Sequence, residues 1–226
     1  MDQDVLRHAP LFSELDDESM TAMLAMMGQT RLRRGEVLFH EGDTADRLYA
    51  VVDGKVKLSR AAANGQDSLL AILGAGQVFG ELSLFDPGRR SSTVTAVTDQ
   101  VELASLSHDD LLGLLDGRPS VTRGLLALLS GRLRRANDVI GDLVFADAPR
   151  RVAKALLDLA ERFGEQTEEG LHVRHDLTQE ELAQLVGAAR ETVNKALADF
   201  AAKGWVRLES RSVIITDMER IVRRAG

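Results

Sequence analysis

The sequence predicts an α+β protein in three successive parts: a turn-rich β domain, one long helix, and a helical module closed by a β-hairpin. Three observations predict it. Gly35, Gly42, Gly54, Gly65, Gly74, Gly76, Gly80 and Gly88 punctuate the first part at short intervals, with β-type runs between them. From Pro119 to Val144 that spacing stops, and apolar residues recur in steps of three and four. Beyond Pro149, amphipathic helical segments lead to WVRLESRSVIIT, which reads as a hairpin.

Composition bounds the function. With 226 residues, 44% of them hydrophobic, the chain can bury one or two domain cores. No apolar run approaches a membrane span and the start, MDQDVLRH, is acidic rather than signal-like. A soluble, cytoplasmic protein is expected. The absence of cysteine excludes thiolate clusters, thiol switches and cysteine zinc fingers. Of the histidines only His172 and His175 lie close together, and on a strand they face opposite sides, so no metal site is expected. The net charge of −7 is uneven. From Ala146 onward 13 Lys+Arg stand against 14 Asp+Glu, a net −1, so the first 145 residues carry −6. A near-neutral second half can still bind nucleic acid through clustered basic residues.

Each element has its own signal. Asp16-Asp17-Glu18-Ser19 opens a short helix through MTAMLAMM. EVLF, RLYAVV, KVKLS, SLLAIL, STVTAVT and VELASL are strand candidates, and Asn64-Gly65 marks a hairpin turn. Many short strands between turns indicate a sandwich, jelly roll or barrel. Leu125, Leu129, Leu133, Ala136, Ile140 and Leu143 form one stripe on a helix of about 25 residues, twice the usual length. Such a stripe packs on the β domain or meets a second copy of the chain. Phe145 to Pro149 breaks the helix, because proline disfavours helical geometry at the residue before it. RRVAKALLDLAERFG, the strand LHVRH, two helices and the closing hairpin then compose a winged-helix module.

Two stretches carry chemistry. In TQEELAQLVGAARETVNKALADF, Thr178 and Glu181 make a capping box, Ala183 is small enough for a helix crossing, and Gly187 permits positive φ. Leu182, Val186, Ala188, Val193 and Ala196 lock the pair as a helix-turn-helix. Arg190, Glu191, Asn194 and Lys195 are left on the outer face of its second helix, the one that enters a major groove. Thr178 and Gln179 at the start of the first helix join this DNA-facing set. Arginine grips guanine O6 and N7, and a carboxylate accepts from cytosine N4. The second stretch, GELSLFDPGRRSS, sets Glu81 and Arg90 in a glycine-bounded loop. From residue types alone they either pair with each other, as surface charges do, or hold a ligand with an anion and a hydroxyl.

The whole chain, and above all LTQEELAQLVGAARETVNKALADFA and FGELSLFDPG, resembles the cyclic-AMP receptor protein family (the Crp/Fnr transcription factors), especially actinobacterial regulators of the GlxR/Crp type. The resemblance implies a cyclic-nucleotide-binding β-roll, a jelly-roll type of domain, over 1–118. It implies a dimerisation helix over 119–144, a hinge over 145–149 and a winged helix-turn-helix DNA-binding domain over 150–226. It also implies a homodimer without enzymatic activity, controlled by cyclic AMP without a metal. The partners it implies are palindromic DNA with TGTGA-like half-sites and RNA polymerase, and no membrane. In the family the glutamate of this loop meets the ribose 2′-hydroxyl, and the arginine and neighbouring hydroxyl meet the cyclic phosphate. Those roles fall on Glu81, Arg90 and Ser91, with Gly80, Leu82 and Ser83 shaping the loop. Ala136 and Asn137 take the positions facing adenine, where the family usually has threonine followed by serine or asparagine. Ala189 replaces a capping serine before the recognition helix, and Lys195 stands where arginine is frequent. Three rivals remain: a ligand-blind or differently tuned regulator of the same family, a cupin-type enzyme, and a nucleotide module controlling a kinase or channel. The second lacks the metal-binding histidines it needs, and the third lacks a catalytic segment or span.

Overall fold

The computed structural model describes residues 3–7, 9, 11–13, 15–61, 67–82 and 88–226. Two short helices, α1 (Gln3–Arg7) and α2 (Asp17–Met26), come first. Asp16 caps α2 by accepting from Ser19 N at 2.7 Å. The β domain follows as two four-stranded sheets. One has the order β1 (Gly28–Arg33), β8 (Gln100–Ser107), β3 (Arg47–Asp53), β6 (Val78–Phe79). The other runs β2 (Val37–Phe39), β7 (Thr93–Ala96), β4 (Val56–Ala61), β5 (Asp67–Leu73). The expected strands are present, and Asn64-Gly65 lies outside the described residues. Four elements were not anticipated, α1 and β6 among them. β1 alternates half-buried and exposed residues along β8, from Gly28↔Ser105 to Arg33↔Gln100, and its exposed arginines disguise the pattern. Helix α3 (His108–Gly117) is capped by Ser107, which accepts from Asp110 N at 3.2 Å.

Helix α4 (Pro119–Phe145) is continuous over 27 residues, yet the two compact units of the chain divide within it, between Ala136 and Asn137. Its first turns bury Val121 and Leu125 in the core made by Leu48, Ala50, Leu106 and Leu111, and Leu129 packs against the same cluster. Of the expected seam residues, Leu125 is thus buried in its own β domain, while Leu129 is half-buried against it. A straight helix drifts by about 20° per heptad, so a stripe that starts against the β domain turns away from it. The exposed apolar face is Leu126, Leu133, Val139, Ile140, Leu143 and Val144.

The helix break falls at Ala146-Asp147, within the segment 145–149 where it was expected. Asp147 caps α5 (Ala148–Phe163) by accepting from Arg150 N at 2.8 Å, and Ala148 is already helical. Proline is tolerated in a first turn, where its missing N–H has no helical partner to lose. The second unit continues through β9 (Gly164–Thr167), β10 (Gly170–Arg174), α6 (Gln179–Val186), α7 (Arg190–Ala202), β11 (Val206–Glu209), β12 (Ser212–Ile215) and α8 (Met218–Ala225). Its sheet has the order β11-β12-β10-β9. β9 and α8 were not anticipated. Arg224 Nη2 grips both Asp147 oxygens at 2.7 and 2.8 Å, and Arg150 Nε donates to Ala225 O at 3.0 Å. The two helix ends thus close one another.

Leu125→Ala should lower stability by ~2–5 kcal/mol in urea unfolding, the cost of a core cavity. Leu133→Ala removes a side chain from a residue that is 65% exposed. Measured in dilute, monomeric protein, it should stay within ~0.5 kcal/mol of the parent.

Candidate functional site

The loop after β6 answers the question its charges pose. Among the described residues Glu81 and Arg90 do not pair with each other. Glu81 is fully buried, and its Oε1 accepts from Nη1 of Arg132 on α4, while Arg132 Nη2 reaches Val78 O. Oε2 of Glu81 has no partner among the described residues. Arg90 is 4% exposed. Its Nη1 donates to Gly80 O at 3.2 Å, and its Nε is buried without a partner. A buried unpaired polar atom costs about 1–3 kcal/mol, so two at one turn ask for a ligand that supplies a hydroxyl and an anion. The backbone holds this arrangement. Gly80 sits at φ +84°, and a Cβ there would stand 2.8 Å from Arg90 Nη1 and 3.2 Å from Arg47 O. Arg90 N donates to Asp43 O, and Gly42 N to Arg90 O, both at 2.8 Å.

Arg90 has two aromatic rings close to its guanidinium, and Asp46 Oδ1 lies 3.9 Å from Nη2. Its guanidinium carbon lies 4.2 Å from the Phe39 ring centre and 5.6 Å from that of Tyr49. Burial pulls the Arg90 pKa below its ordinary value, against the opposing pull of Tyr49, Asp46 and Asp43. Burial also raises the Tyr49 phenol. Of the other expected loop residues, Ser91 and Leu82 are exposed, and Ser83 lies outside the described residues. Arg89 is exposed and donates to Gly42 O at 2.9 Å. Ala136 follows Arg132 by one helical turn on the same face, and both Ala136 and Asn137 are exposed. Sequence reasoning missed Arg132, Phe39 and Tyr49. The only available signal for Arg132 was its i−4 spacing from Ala136.

In the second unit α6 and α7 form the expected helix-turn-helix. Thr178 Oγ1 accepts from Glu181 N at 3.2 Å, while Glu181 Oε2 accepts from Thr178 N at 2.7 Å. Gly187 ends α6 at φ +69°, and Ala188 N donates to Ala183 O at 3.2 Å. Leu182, Ala183, Val186, Val193 and Ala196 are buried between the helices. Arg151 ties the turn to the end of α4, donating to Val186 O, Gly187 O and Ala146 O at 3.2, 3.1 and 2.8 Å. Arg190, Glu191 and Lys195 are exposed on α7, as are Thr178 and Gln179 before it. Among the described residues neither Arg190 nor Lys195 is in an ion pair. Asn194 is half-buried, with Oδ1 unpartnered. Ala189 precedes α7 with no side-chain cap. No described helix is long and apolar enough to cross a membrane, and no group of three or more described His, Asp or Glu residues is placed to hold a metal.

A buried acid and arginine at a glycine turn, followed by a helix-turn-helix, define an effector-binding regulator. Residues 29–118 match the cyclic nucleotide-binding domain, and residues 150–224 the Crp-like helix-turn-helix domain. The chain belongs to the cyclic AMP receptor protein (Crp) family of transcriptional regulators. It is 49% identical over 222 residues to a CRP-like cAMP-activated global transcriptional regulator of Mycobacterium tuberculosis, covering 98% of this chain and 99% of that one. The crystal structure of the Thermus thermophilus catabolite activator protein is 37% identical with a TM-score of 0.56, over 96% of this chain and 98% of that one. The c-di-GMP responsive global regulator CLP of Xanthomonas campestris superimposes with a TM-score of 0.73 at 28% identity, over 88% of this chain and 99% of that one.

Gly80→Ala should leave the fold intact and weaken cyclic-nucleotide binding. The new methyl displaces the Arg90 guanidinium and strains the turn by roughly 1 kcal/mol or more. Calorimetric titration alongside a melting curve checks both halves, and parental affinity would show that Arg90 need not stay where it is.

Proposed function

We propose that this chain is a homodimeric transcriptional regulator switched by cyclic AMP, binding palindromic DNA with TGTGA-like half-sites and contacting RNA polymerase. The observation that carries the reading is the buried turn at Gly80, where Glu81 Oε2 and Arg90 Nε are left unpartnered. A ribose hydroxyl fits the first. A cyclic phosphate fits the second, assisted by the Ser91 hydroxyl. Adenosine cyclic phosphate supplies both groups in one rigid molecule. A phosphate beside a carboxylate is tolerated only when that carboxylate accepts from a sugar hydroxyl, which is the role Glu81 takes.

Arg132 extends the site to the long helix, since it holds Glu81 from α4. Ligand binding at Glu81 therefore acts on a group that α4 already grips. This supports a mechanism in which the nucleotide biases α4 and the segment after it, so that the recognition helices of two copies reach successive major grooves, about 34 Å apart. Such coupling is typically ~1–3 kcal/mol. The exposed face of Leu126, Leu133, Ile140 and Leu143 suits a second copy of the same helix. Arg190 and Glu191, exposed and adjacent at the start of α7, suit neighbouring G·C pairs.

The test is binding of a labelled palindromic duplex, titrated with cyclic AMP, cyclic GMP and cyclic di-GMP. Tightening by cyclic AMP supports the reading. Tightening by another nucleotide alone, or equal binding with none, replaces it with the rival regulators. Ala136 gives that rival a specific ground, because its methyl can neither donate to nor accept from a base.

Arg190→Ala should cost ~1–3 kcal/mol on the palindrome and relax choice at one G·C pair, as loss of a bidentate base contact does. An unchanged ratio of palindromic to shuffled binding would refute the assignment of the recognition helix.

Ala136→Thr should sharpen discrimination between cyclic AMP and cyclic GMP by ~0.5–1.5 kcal/mol, the value of one net hydrogen bond. Until then Asn137, with both a donor and an acceptor, can serve either purine. Competition binding on the two proteins decides, and equal selectivity would show that position 136 does not read the base.

A further inference from the structure

We infer that Phe39 and Tyr49 are positioning residues for the effector, holding the Arg90 guanidinium by cation–π contact in the place where the cyclic phosphate meets it. The inference rests on the proposed role of Arg90 and adds the residues through which Arg90 acts.

Arg90 is a nearly fully buried cation with weak anionic support. Among the described residues the nearest paired carboxylate oxygen is Asp46 Oδ1, 3.9 Å from Nη2. Asp46 is 70% exposed and also faces Arg47 Nε at 3.3 Å. Among the described residues the other polar contact of the guanidinium is the carbonyl of Gly80 at 3.2 Å. Removing a guanidinium from water without a close counter-ion is costly. In this site the ring faces stand where water would be. Phe39 lies 4.2 Å from the guanidinium carbon and Tyr49 5.6 Å, both within the range of attraction to a ring quadrupole.

The rings brace each other. Phe39 and Tyr49 are 5.9 Å apart, Tyr49 stacks on Phe79 at 5.5 Å, and Phe39 meets Phe79 at 6.3 Å. Phe79 immediately precedes Gly80. Phe39 ends β2, and the backbone just beyond it, at Gly42 and Asp43, pairs with the backbone of Arg90. Main chain and side chain of Arg90 are therefore registered against the same stretch. The cation is desolvated and oriented on folding, so an arriving anion does not have to order it, and affinity gains from that preorganisation. A leucine would fill the same space without a π face.

The full chain with Phe39→Leu, Phe39→Tyr, and mono-, di- and trifluorophenylalanine at position 39 is titrated calorimetrically with cyclic AMP, with Arg90→Leu as reference. Phe39→Leu should weaken binding about three- to thirty-fold, while Phe39→Tyr stays within about twofold of the parent. The fluorinated rings keep the shape and drain the quadrupole. They should weaken binding in order of fluorine count. A flat fluorine series, with Arg90→Leu still abolishing binding, overturns the positioning role and leaves the effector reading standing. Retention of cyclic AMP binding by Arg90→Leu, or its absence in the parent chain, overturns both. If Phe39→Leu fails to fold, the fluorinated series alone decides.

Discussion

Glu81 and Arg90 are buried within ten residues of one another and do not neutralise each other, and the N-terminal unit is arranged around that constraint. Each charge has been given a different substitute for water. The carboxylate takes a guanidinium from the long helix, and the guanidinium takes aromatic faces and a carbonyl. Had the two paired, the loop would be a stable surface feature with little capacity for a ligand. At the left-handed turn of Gly80 they retain one acceptor and one donor without a partner among the described residues. The sheets, the three packed rings and the pairing of Arg90 with Asp43 and Gly42 keep those atoms in place.

In the second unit the corresponding constraint is the closing of helix ends. Thr178 closes the start of α6, Gly187 its end, and Asp147 the start of α5. Arg151 gathers carbonyls from the turn of the helix-turn-helix and from the end of α4. Arg224 and Arg150 join the last helix to the segment where α4 stops. A few arginines thus satisfy backbone groups that would otherwise face solvent or go unpaired. Among the described residues Arg190 and Lys195 on α7 stand outside any ion pair.

The long helix shows why one stripe of apolar residues does not identify its own partner. Leu125 and Leu133 carry the same side chain and sit eight residues apart. One is in the core of the β domain and the other is 65% exposed. Periodicity reports that a face is apolar. Which part of that face the β domain covers depends on where the helix leaves the sheet, and no local spacing encodes that.

The sequence by itself determined whatever depends on neighbours along the chain. The capping box at Thr178 and Glu181, the positive φ at Gly187, the strand runs, and the exposed Arg190-Glu191 pair were all legible because each is settled within a few residues. The short cap-led helix α3 and strand β1 carried similar signals, weakened by arginines and by brevity. Only the tertiary structure decided the partner of Glu81. Arg132 is 51 residues away and Phe39 is 51 residues from Arg90, so neither pairing leaves a local trace. A buried charge takes whatever partner folding brings within reach, and that choice is made by the packing of α4 and β2 against the loop.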